Sequence, residues 1–159
     1  MDHHQDRPDQ DRLVSGLRDA TIQVLRTMAG REVAYVGLSA MNQFVLKDEA
    51  CGVVRLRGSV SGLVAISCGL DLAQYLVSCI IGVAIDEIGQ EELLDGVSEL
   101  TNMICGGVKT HLGGGGGVEL LPPLAVVGSE YVAQWKTDCD TSVLLFRVDD
   151  NTFRVYASV

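Results

Sequence analysis

From Gln90 to Leu112 the chain carries its longest helical period, and this stretch constrains the fold more than any other. Leu93, Leu94, Val97, Leu100, Ile104, Val108 and Leu112 recur at steps of three and four, which puts them on one stripe of a 3.6-residue helix facing a core. Glu92, Asp95, Glu99, Asn102, Gly106 and Lys109 make a second, polar stripe at the same steps, with Glu99 and Asn102 side by side about one turn apart. A polar stripe opposite an apolar one is ordinarily the wet side of a surface helix. Thr101, Asn102, Gly106 and Gly107 fit that description badly. A Gly inside a helix costs about 1 kcal/mol relative to Ala, so something other than helix propensity keeps it there. Close approach of another backbone is one such reason.

A chain of 159 residues is expected to form one domain around one core. Hydrophobic residues make up 47% and aromatics 5%, which predicts a globular protein packed with aliphatic side chains. The net charge of −9, with no Lys/Arg cluster or aromatic ladder, argues against nucleic-acid binding. Cys51, Cys68, Cys79, Cys105 and Cys139 are odd in number and contain no Cys-x-x-Cys pair, so reduced, buried thiols are expected rather than disulfides or zinc. No apolar run reaches the length of a membrane span, no membrane association is expected, and the cytoplasm is the expected compartment.

In chain order, residues 1–12 read as a flexible polar tail whose His3-His4 pair lacks the other ligands of a metal site, and residues 13–159 as the domain. Leu13, Val14, Leu17, Thr21, Val24, Leu25 and Met28 predict a first helix that Gly30 ends. Glu32–Leu38 reads as a strand, and Gly52–Cys68 as an antiparallel hairpin in which Val54 and Leu56 alternate with Arg55 and Arg57. The segment between them, Met41–Ala50, has no clear period. Asp71 with Gln74 resembles a capping box for a short helix that Gly82 stops. After the long helix, Gly113–Gly117 reads as a mobile linker. Leu124–Val127, Tyr131–Trp135, Ser142–Val148 and Phe153–Val159 then read as antiparallel strands, the last two joined by a turn at Asp149-Asp150-Asn151. Helix, strands, two helices, strands is the order of an α+β domain with helices on one face of a mainly antiparallel sheet.

Three candidate chemistries fail on the residues. Gly106-Gly107-Val108-Lys109-Thr110 lies inside a helical pattern and lacks the first Gly of a phosphate loop. The pentaglycine needs no anion to explain it. His111, the only histidine outside the tail, sits at a helix C-terminus, where a favourable dipole interaction accounts for it without a catalytic triad.

Glu99 and Asn102 remain, within Gly96-Val97-Ser98-Glu99-Leu100-Thr101-Asn102-Met103-Ile104-Cys105-Gly106. This segment resembles the Glu-x-x-Asn helix of the CheX family of chemotaxis phosphatases, to which CheC and FliY are related. The resemblance extends to Asp19–Gly30 in the first helix and to the hairpin Gly52–Ile66. The first helix contains no Glu followed three residues later by Asn, so one site per chain is expected, as in CheX rather than CheC.

The resemblance implies a single CheX/CheC-like domain that hydrolyses the aspartyl phosphate of a CheY-type response regulator. Asn102 would be the catalytic amide, orienting water in line with phosphorus, and Glu99 would dock on the regulator's active-site lysine. Asp95, Ser98 and Gly106 would touch the partner. No cofactor of its own and no metal ligands are implied, because Mg²⁺ would come with the regulator's phosphorylation site. Family members form homodimers through their sheets, and the C-terminal strands read as an edge for such pairing. The polar N-terminal segment and the pentaglycine have no counterpart in the family pattern. The competing class is a module that binds a response regulator without hydrolysing its phosphate.

Overall fold

A computed structural model of the chain describes residues 6–42, 44–112, 117–129, 131–135 and 140–159. Among these residues three α-helices lie on one face of a sheet that is antiparallel throughout. The helices are α1 (Asp6–Ala29), α2 (Leu70–Ile81) and α3 (Gln90–Lys109), with a 3₁₀ turn at Ile85–Glu87. The strands are β1 (Val33–Met41), β2 (Phe44–Leu46), β3 (Ala50–Gly58), β4 (Gly62–Cys68), β5 (Val118–Leu120), β6 (Leu124–Val127), β7 (Ala133–Trp135), β8 (Thr141–Val148) and β9 (Asn151–Ser158). The seven-stranded sheet runs β1-β8-β9-β4-β3, and both β5 and β6 pair with the outer edge of β3. β2 and β7 form a separate two-stranded ladder. The expected α+β class and the β3–β4 hairpin are both present.

The sheet's period of two sorts its side chains. Val54, Leu56, Val64, Ile66, Leu144, Phe146, Phe153 and Val155 face the helices and join Leu13, Leu17 and Leu25 of α1 in the main core. Cys51, Val53, Ala65, Val143 and Tyr156 face the other way, against Leu46 of β2. β3 therefore alternates only in its second half, where Arg55 and Arg57 are exposed; in its first half both faces are covered. Phe146 and Phe153 stack at 5.2 Å on the helix side of β8 and β9.

Several boundaries differ from the sequence reading for identifiable reasons. α1 begins at Asp6, not Leu13, so much of the polar segment is helical. Pro8 falls in its first turn, where an amide N–H has no intrahelical acceptor in any case. Gln10 ties this turn to the sheet, its Nε2 donating to Ser142 Oγ at 2.6 Å and to the Ala157 carbonyl at 3.1 Å. The capping box expected on α2 does not form: Gly69 is the N-cap, and Leu70 N–H donates to Glu49 Oε1 at 3.2 Å. Glu49 arrives from the loop before β3, so no local pattern announces it. Gly82, with φ 70°, closes α2 in the left-handed conformation, and Gly30, with φ 61°, follows α1 in the same way.

Of the strands that follow the long helix, the last two do not offer an edge. β8 lies between β1 and β9, and β9 between β8 and β4. The outer edges belong to β1 on one side and to β5 and β6 on the other. Cys51, Cys68 and Cys105 are buried free thiols and Cys79 is a half-buried one; burial pushes Cys68 and Cys105 up to about 12. Cys139, His3, His4 and Gly113 to Gly116 lie outside the described residues. Among the described residues no helix is long and apolar enough to cross a membrane, and no group of three or more His, Cys, Asp or Glu is arranged to hold a metal.

Candidate functional site

α3 is fixed on three sides, each through a residue too small to hold its neighbour off. Toward α2, Gly96 lies under Val77, whose methyl groups occupy the space a Cβ would need. Toward the sheet, Thr101 is buried against Gly52 of β3, where a Cβ would overlap its hydroxyl, and Thr101 Oγ1 donates to the Val97 carbonyl at 2.7 Å. Toward α1, a Cβ on Gly107 would lie 2.8 Å from the Cβ of Ala20. Leu93, Val97, Leu100, Ile104 and Val108 are buried between these contacts, as their spacing predicts. Gly107, a poor choice by propensity alone, is therefore explained by packing inside the molecule, and the buried Thr101 by its seat against Gly52.

The fourth side is open. Asp95, Glu99 and Gly106 are exposed, while Ser98 and Asn102 are half-buried. Among the described residues nothing stands within 4 Å of the position a Cβ on Gly106 would take. Among the described residues neither Glu99 nor Asn102 forms a side-chain hydrogen bond or ion pair. A free carboxamide retains two N–H donors and a carbonyl acceptor, and a carboxylate retains its acceptors, so both are available to an incoming partner.

Glu99 and Asn102 line one groove of about 380 Å³ together with Met103, Leu120, Leu121 and Pro122. Its far wall exists because the edge of the sheet is interrupted. β5 pairs Leu120 with Leu56, and β6 pairs Leu124 with Val53. Between them Leu121 N–H still donates to the Arg55 carbonyl at 2.9 Å, but Pro122 and Pro123 have no N–H to continue the ladder. An Arg57–Glu119 ion pair, 2.6 Å at its shortest, adds an exposed contact at the base of this wall.

The two residues expected to do the chemistry thus share a groove, and Asp95, Ser98 and Gly106 lie on the same helix outside its lining. The wall of Leu120, Leu121 and Pro122 was not anticipated. Its only trace in the sequence is a proline pair between two apolar runs, which marks a break in a strand without showing what it faces. His111 sits at the end of α3 as expected, with Nδ1 3.2 Å from the Gly107 carbonyl; its Nε2 is 4.0 Å from Asp19. Gly106 to Lys109 are helical, so no phosphate loop forms there.

Comparison with known proteins identifies the fold and the family. The family model described as chemotaxis phosphatase CheX matches residues 50–147, more than half of the chain and all of α3. A putative chemotaxis protein from Desulfovibrio vulgaris Hildenborough superposes with a TM-score of 0.80 at 24% identity, covering 91% of this chain and 94% of that one. The chemotaxis protein CheX of Desulfovibrio desulfuricans gives 0.80 at 24% identity, covering 91% and 97%. CheX from Borrelia burgdorferi, solved in complex with CheY, BeF3 and Mg²⁺, gives 0.68 at 22% identity, covering 91% and 96%. Comparison with curated proteins found no match. With the matched segment spanning the hairpin, α2, α3 and most of the remaining strands, the chain belongs to the CheX family of chemotaxis phosphatases.

Proposed function

We propose that this protein hydrolyses the aspartyl phosphate of a CheY-type response regulator and so ends a chemotaxis or related two-component signal. The observation that carries this reading is the pairing of Glu99 and Asn102 in one groove, without internal partners, on a helix whose other sides are locked. Family membership supports it, as does the CheY-bound state of the Borrelia relative.

The substrate is an acyl phosphate, already reactive. Water oxygen attacks phosphorus, the bond from phosphorus to the aspartyl oxygen breaks with its electron pair going to the carboxylate, and the water's protons leave with inorganic phosphate and solvent. Positioning that water is the task left to this chain. The Asn102 carboxamide brings no negative charge toward the phosphoryl group, which a carboxylate at the same position would repel. Glu99 pairs with the regulator's active-site lysine and fixes the helix in register. Asp95, Ser98 and Gly106 contribute further partner contacts. Mg²⁺ belongs to the regulator's phosphorylation site, as the Borrelia complex suggests by containing it together with CheY.

The test is the decay of phosphorylated response regulators from the same cell, with and without this protein and its Asn102→Ala variant. Acceleration by the wild type that drops by about a hundredfold or more in the variant is expected. Full activity in the variant sinks the mechanism. Binding without acceleration of any regulator moves the reading to a sequestering module.

The protein works as a homodimer in this reading, and β1 is the edge we assign to the pairing. Among the described residues β1 pairs with β8 alone, and Val36 and Leu38 are 50% and 55% exposed along it. Lysine at both positions should leave a monomer by sedimentation analysis; a dimer that persists places the interface elsewhere.

A further inference from the structure

Met103 lines two grooves at once. On one side is the groove of Glu99 and Asn102; on the other is a groove of about 310 Å³ between α1 and α3. Ala20, Val24 and Met28 give the second groove an apolar α1 wall, with Gln23 and Thr27 exposed along it. Val24 and Met28 continue the apolar stripe of α1, yet both are only half-buried, whereas Leu13, Leu17 and Leu25 of the same stripe are at most 1% exposed. The stripe is wider than the core it covers, and the surplus faces this groove.

Met103 belongs to the lining of both grooves, and no described residue lies within 4 Å of the place a Cβ on Gly106 beside it would take. A stable protein interface covers about 800 Å² on each partner, far more than two side chains supply. A regulator that brings its phosphorylated aspartate to Asn102 therefore overhangs the neighbouring groove. We propose that the α1–α3 groove takes an apolar side chain of that same regulator, so that Val24, Met28 and Met103 set affinity and choice of regulator while Asn102 sets turnover. The inference rests on the phosphatase reading above. An apolar anchor seated in a pocket beside a polar contact is the usual source of binding energy, and methionine adapts its shape to such an anchor.

The test uses the full-length protein and a CheY-type regulator of the same cell loaded with beryllofluoride and Mg²⁺ for binding, or phosphorylated for kinetics. Val24→Glu places a charge in the groove; Thr27→Trp fills it from an exposed position and carries the test should the first variant unfold. In each, binding weakened and KM raised by about tenfold or more, with kcat within about twofold of wild type, is expected. Asn102→Ala should do the reverse, binding the loaded regulator normally while losing turnover. Wild-type binding and KM in the folded groove variants overturn the inference and leave the phosphatase reading standing. A fall in kcat at unchanged KM also overturns it. Wild-type protein that binds no regulator overturns both.

Discussion

Gly106 and Gly107 are neighbours in one helix, and their surroundings are opposite. Gly107 is pressed against Ala20, whereas Gly106 faces open space. The same contrast runs the length of α3. Gly96 and Gly107 of α3, and Gly52 opposite Thr101, leave no room for a Cβ beside α2, α1 and β3, while a Cβ on Gly106 would meet no described residue and Glu99 and Asn102 line an open groove. Unfavourable helix residues on a packed face report on the fold. On an open face they report on something outside it.

Substitutions on the two faces should separate these roles. The largest effect is expected on the open face: Asn102→Ala should slow phosphate release by about a hundredfold, equivalent to roughly 2.7 kcal/mol of barrier, with no change in thermal unfolding. On the packed face, Gly52→Ala drives a methyl into Thr101 and should cost about 2 kcal/mol in denaturant unfolding. Activity per folded molecule should be less affected than stability, and a variant as stable as wild type would show that β3 does not hold α3 there.

Alkaline pH should act on the packed face through Cys105. Burial raises this thiol from 9 to about 12, so above pH 9 the unfolded chain releases a proton that the folded chain keeps. Stability then falls as pH rises from about 9 toward 12. Cys105→Ala should shrink the stability lost between pH 8 and pH 10 by about 1 kcal/mol, read from urea midpoints at the two values. The smallest effect sharpens the comparison most. Gly106→Ala should stabilise the protein by about 0.5 to 1 kcal/mol, because the helix gains propensity and the methyl meets nothing. Gly107→Ala, pushed against Ala20, should not. Equal responses from the two glycines would remove the distinction between the faces.

How much of this was legible in the sequence follows the range of the interactions involved. The α3 stripe and the turn of α2 at Gly82 are set by near neighbours and were readable from spacing and residue type. The start of α1 was not, because Gln10 anchors it to Ser142, far along the chain. Glu49 replaces a local cap on α2 in the same way. β2 and β5 span three residues each, too few to show a period. The spacing of Glu99 and Asn102 placed them on one face, and the resemblance supplied roles. Their facing wall at Leu120 to Pro122 depends on how an edge strand breaks beside α3, which only the assembled sheet shows.

That broken edge also governs how the molecule can grow. β5 and β6 present three and four residues, separated by a pair of prolines, whereas β1 spans nine with one register shift between Tyr35 and Gly37. Short, interrupted edges make poor templates for another strand. If β1 is the pairing edge, as proposed above, growth of the sheet stops after one pairing, since both remaining ends are the blunt β5–β6 side. Pairing of like with like closes at two and does not propagate into fibres. The proline pair that opens the groove beside Asn102 thus also blunts the sheet's edge on that side.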